Sequence, residues 1–142
     1  MEENINALDE MHKGACMGMD AIHFILDKVE DESLENVLKK LYQDYKDSAR
    51  EIEEIYPKYN NDEPHETSVI NKTMTWYGIE MKTMNDKSNS KIAELILQGL
   101  NMGIIEGRKI LNNKNIDGEV NSIIDKYVTM QEKSVEILKQ YL

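Results

Sequence analysis

Residues 30–57 read EDESLENVLKKLYQDYKDSAREIEEIYP, and the spacing within them decides the fold class. Leu34, Leu38, Leu41, Tyr45, Ser48, Ile52 and Ile55 step strictly by four and three, which lines one face of an α-helix over about residues 33–56. Asp31 or Ser33 can cap its start, and Pro57 followed by the polar run YNNDEPHE ends it. Because EDES is so short a connection, the helix before it must lie alongside and antiparallel.

That preceding helix is expected over about residues 3–30, on Ile5, Leu8, Met11, Ala15, Met19, Ile22, Leu26 and Val29. Beyond the loop, Ile70, Met74, Tyr77, Met81 and Met84 predict a shorter helix over about 67–84. The cluster NDKSNS at 85–90 breaks it, since one helix over 67–111 would be about 67 Å long and overhang a compact bundle. A fourth helix, about 90–112, is apolar over more than half its circumference, which calls for several packing neighbours. NNKNIDG turns the chain into a last helix at about 118–141, with Gln131 and Ser134 among its inward residues as core hydrogen-bonding groups. The expected architecture is all-α: an antiparallel four-helix bundle of two hairpins with a shorter linking helix, in a single domain spanning 1–142.

Composition agrees. Two prolines and seven glycines in 142 residues leave long helices undisturbed. A formal charge of −10 sets nucleic acid and anionic lipid aside as main partners, because those need clustered Lys and Arg. No apolar run approaches the roughly 20 residues of a membrane span. With Cys16 the only cysteine and an acidic start lacking an apolar signal region, the expected compartment is the cytoplasm.

Chemistry concentrates in the first helix. His12, Cys16, Met19 and His23 fall within an arc of roughly 60°, and each is a ligand for a soft or borderline metal. His12 and Cys16, at i and i+4, can share one ion, whereas His23 lies about 16 Å from His12 along the axis. A di-iron site would need Glu-x-x-His motifs, and none occurs. The inward stripe of 33–56 also holds no carboxylate, and EIEE at 51–54 reads as a solvated charge run. Glycines form the other signal. Gly14 and Gly18 in the first helix, and Gly99, Gly103 and Gly107 in the fourth, recur every four residues. Each costs about 0.5–1 kcal/mol relative to alanine, so a close helix approach or a dimer contact is expected to compensate.

The run WYGIEMKTM, KIAELILQGLNMG and EVNSIIDKYVTMQEKSVEILKQYL resembles the uncharacterised ferritin-like bundle proteins of bacteria. Trp76 and Lys82 would form the segment connecting two hairpins. The resemblance implies a cytoplasmic, often dimeric bundle with no established activity. Relatives often carry Glu-x-Gly-Glu around the glycine of the fourth helix, whereas this chain has Leu97, Gln98, Gly99 and Leu100. The resulting expectation is a non-enzymatic ferritin-like bundle acting through self-association as a homodimer or through a protein partner, with no cofactor. The alternative is a metal- or cofactor-binding bundle using His12, Cys16 and His23. No side chain stands out as catalytic.

Overall fold

The computed structural model describes residues 2–61, 78, 80–82 and 84–142. Four long helices carry the described structure: α1 Glu2–Leu26, α2 Glu32–Ile55, α3 Asn89–Asn113 and α4 Gly118–Leu138. Single 3-10 turns follow α2 at Tyr56–Lys58 and α4 at Lys139–Tyr141. No strand occurs among the described residues, so the all-α expectation holds.

Local chemistry sets the boundaries. Asp31 is the N-cap of α2, its carboxylate accepting from the Leu34 amide at 2.8 Å. Ser88 caps α3 in the same way, accepting from the Lys91 amide at 3.2 Å. Residues 84–88 are non-helical and α3 begins at Asn89, so a break occurs, slightly earlier than the expected 85–90. The expected helix over 67–84 lies mostly outside the described residues, as do Trp76 and Tyr77; Gly78 and Glu80–Lys82 are helical. The first helix is shorter than expected, stopping at Leu26 and not near residue 30. Lys28 and Val29 donate to the carbonyls of Ile25 and Leu26, tightening the last turn so that Asp31 can open α2. The last helix likewise gives way after Leu138 to its 3-10 turn.

Inter-helix bonds fix the directions. The start of α1 meets the α3–α4 turn, where the Asp117 amide donates to Asn4 Oδ1 at 2.8 Å. Lys58 and Tyr59, just past α2, reach Glu119 and Asp117 at the same end. At the opposite end Asn89 donates to Asp31, and Ser33 bonds Tyr141 at 2.6 Å. Thus α1 and α4 run one way and α2 and α3 the other, and α2 finishes at the end opposite to where α3 begins. Packing follows the cycle α1–α2–α4–α3, with α1 and α4 also touching across the diagonal.

The core is continuous through all four helices, including Leu8, Met11 and Ile22, Leu38 and Ile52, Ile92 and Leu100, and Val120 and Ile124. The α2 stripe departs from its expected course at one position: Ala49 is buried and Ser48 is not. At 3.6 residues per turn a strict 3.5 repeat drifts, and the small apolar residue takes the interior while Ser48 bonds back to the Asp44 carbonyl at 3.0 Å. In α1, Met19 is half-buried while Asn4, Ala7, His12 and Ile25 are buried.

Candidate functional site

His12 is a buried polar group of α1, with 1% of its side chain exposed. Its Nε2 lies 2.9 Å from Glu53 Oε1 on α2, and Cys16 Sγ lies 3.9 Å from its Nδ1 one helical turn away. A carboxylate only accepts, so the proton between His12 and Glu53 sits on Nε2. In the neutral ring the Nδ1 lone pair therefore faces the sulfur. Glu53 keeps 49% of its side chain exposed, which spares it full desolvation while it holds the ring in place.

Two helices build this cluster. The i, i+4 spacing brings Cys16 over His12, and antiparallel α1–α2 packing brings Glu53 across. Sequence reasoning missed Glu53 because it belongs to EIEE, read there as solvated charge. The signal available was weak: Glu53 follows the inward Ile52 directly, so its side chain leaves the core at the seam with α1. His23 does not join the cluster. It is exposed near the end of α1, about 16 Å along the axis from His12. It acts instead on Asp20, whose carboxyl is pushed up by burial and drawn partly back by the imidazole. Among the described residues no three His, Cys, Asp or Glu side chains converge as a closed metal site.

What the donor set can hold follows from distance. Bonds from a first-row metal to imidazole nitrogen and thiolate sulfur are about 2.0 and 2.3 Å. Their sum exceeds the 3.9 Å between Nδ1 and Sγ, so the separation of the two donors is short enough for one ion to bridge them. An imidazole whose other nitrogen donates to a carboxylate has the orientation and basicity common in metal-ligating histidines. The pair fits a soft ion of low coordination number and lacks the four ligands of a structural zinc site.

Gly14 and Gly18 sit on the other side of α1, and with Gly103 and Gly107 of α3 they admit side chains, not a helix backbone. A Cβ on Gly14 would stand 3.0 Å from the Tyr127 hydroxyl, and one on Gly18 2.6 Å from the Tyr45 ring. In α3 a Cβ on Gly103 would meet Gln131 Oε1 at 2.0 Å, and one on Gly107 would meet Val128 at 2.3 Å. Gly14, Gly18, Gly99 and Gly103 all border one cavity of ≈ 350 Å³ between α1 and α3. Beneath it Tyr45 donates to Gln131 Oε1 at 3.2 Å, and the Tyr45 and Tyr127 rings meet at 6.0 Å with a 55° tilt. The expected core role of Gln131 is thus half met. Ser134 is satisfied locally, donating to the Met130 carbonyl at 3.0 Å.

No family model and no curated protein matches the chain. Among solved structures the chain is similar to CopM in the Cu(II)-bound form, with a TM-score of 0.79 and 13% identity over 97% of this chain and 94% of that one. It is similar also to CopM in the Ag-bound form obtained by soaking, with a TM-score of 0.76 and 12% identity over 97% and 93%. Likeness at such identity is a likeness of fold, and it extends over nearly the whole of both chains.

Proposed function

We propose that the chain is a metal-binding helical bundle that takes one soft ion of the copper or silver class between His12 Nδ1 and Cys16 Sγ. Glu53 is the residue that orients the imidazole. The observation carrying this reading is the 3.9 Å approach of the two donors on a ring already anchored through its other nitrogen. The fold likeness supports it from a second side, since CopM is observed with Cu(II) and with Ag bound. Thiolate and imidazole donors favour soft ions over Mg²⁺ or Ca²⁺, which take oxygen ligands. His23 has no part in this site.

Helix directions support the ferritin-like half of the reading. Two hairpins whose second begins at the end opposite to where the first finishes have the single-crossover connectivity of such bundles. Self-association draws less support, because Gly14, Gly18, Gly103 and Gly107, which helped to motivate it, face side chains of their own chain.

Isothermal titration of the reduced, metal-free protein with Ag(I) tests the proposal. About one equivalent is expected to bind, to be lost in Cys16→Ala and His12→Ala, and to be unchanged in His23→Ala. Glu53→Gln is expected to weaken binding by about 10–100-fold. Folded wild-type protein that takes up no Ag(I), or a Cys16→Ala variant that binds as wild type, overturns it.

A further inference from the structure

The cavity between α1 and α3 holds a second feature that the metal reading leaves unused. Gln131 is 0% exposed and borders the cavity. Its Oε1 is taken by Tyr45, yet its Nε2 has no hydrogen-bond partner among the described residues. A buried amide nitrogen left so is costly, and native cores rarely tolerate it without something to accept from it. Gly14, Gly18, Gly99 and Gly103 border the same space, each at a helix-propensity cost relative to alanine. Gly103 in particular cannot carry a Cβ while Gln131 holds its present position.

Size and surroundings define what fits. An engineered cavity of about 150 Å³ accommodates benzene, so ≈ 350 Å³ suits about two fused rings. Met11, Leu100 and Met81 supply apolar, adaptable wall. The rim carries Glu10, Asp20 and Glu106 against Lys13, and the chain as a whole is at −10. Anions are therefore repelled at entry. We propose that the cavity binds a small, flat, uncharged molecule of about two fused rings, whose one hydrogen-bond acceptor meets Gln131 Nε2 after a turn of the amide toward it, that nitrogen being closed off from the cavity in the unliganded chain. An apolar pocket with one convergent polar group is the usual make-up of a small-molecule site. The site is separate from the His12–Cys16 pair, so it does not depend on the metal reading.

Coumarin, a neutral bicycle with one carbonyl acceptor, is the probe; naphthalene lacks the acceptor and coumarin-3-carboxylate adds a charge. Binding to metal-free protein is followed by calorimetry and by the side-chain amide resonances of Gln131. Wild-type protein is expected to bind coumarin saturably with a shift of those resonances, and the carboxylate more weakly. Gln131→Leu, confirmed folded by its helical circular dichroism, is expected to weaken coumarin about ten-fold while leaving naphthalene unchanged. Met102→Trp, at a 40% exposed position bordering the cavity, is expected to weaken both. His12→Ala is expected to change neither. Three results overturn the proposal: no saturable binding of coumarin or naphthalene by folded wild-type protein, coumarin binding unaffected by Gln131→Leu, or equal binding of the carboxylate.

Discussion

Gly18 of α1 lies directly under the Tyr45 ring of α2: a Cβ at Gly18 would stand 2.6 Å from both Cε2 and Cζ. The ring is buried against Tyr127 and tied at its hydroxyl to Gln131, so it has little room to retreat. The glycine therefore serves the bundle by omission of a side chain.

Gly18→Ala is expected to destabilise the protein. Overpacking costs about 1–3 kcal/mol, against a helix-propensity gain of at most about 1 kcal/mol. Gly118→Ala is the control, since nothing lies within 4 Å of its Cβ position, and a gain of up to about 1 kcal/mol is expected there. Urea unfolding of both variants reads the difference; a stabilised Gly18→Ala would contradict the packing.

The Tyr45–Gln131 bond is open to a double-mutant cycle. Tyr45→Phe takes from Gln131 Oε1 its donor at 3.2 Å, at an expected cost of about 1–3 kcal/mol for the stranded amide. Adding Gln131→Leu removes the stranded group and is expected to recover most of that loss. A coupling energy below about 0.3 kcal/mol would mean that the bond contributes nothing.

Alkaline stability should depend on Tyr127. Burial pushes its phenol well above the ordinary value, and nearby Cys16 raises it further. Below about pH 10 both folded and unfolded chains keep the proton. Above it the unfolded chain ionises first, so stability falls as pH rises toward the folded value. Tyr127→Phe is expected to flatten that fall between about pH 10 and 12, measured by thermal unfolding at each pH. An unchanged slope would show that Tyr127 is not held neutral by the fold.

At the acid end Asp31 is the informative group. The Leu34 amide and the Asn89 side chain hold its carboxyl below the ordinary value. Its contribution is complete above the unfolded value of about 3.9 and is lost as pH falls through the lower folded one. Asp31→Asn keeps a capping oxygen and is expected to retain helix α2 at neutral pH with a shallower acid limb below about pH 4. Asp31→Ala is expected to lose stability at every pH. An NMR titration showing an ordinary Asp31 value would remove the basis of both.

Much of the bundle was legible because its signals are local. The 4–3 stepping of Leu34, Leu38, Leu41, Tyr45, Ile52 and Ile55 depends only on helical pitch. The Asp31 and Ser88 caps depend only on the residues that follow them. The exceptions have local causes too: Ser48 was read as inward from spacing alone, whereas Ala49 is the side chain that the interior accepts without an unmet hydroxyl.

The candidate sites were legible only in part. By itself the sequence determined that α1 carries His12 and Cys16 one turn apart, since i, i+4 adjacency is a property of any α-helix. It determined likewise that the glycines form rows, and that His23 lies about 16 Å along the axis from His12, too far for the two to share one ion. Only the tertiary structure decided that Glu53 grips the far side of His12, that Gln131 keeps an amide nitrogen without a partner among the described residues, and that Gly14, Gly18 and Gly103 face tyrosine and glutamine side chains. The physical reason is that these contacts join different helices: which side chains meet across a seam depends on the rotation and offset of whole helices, set by all of their packed residues at once.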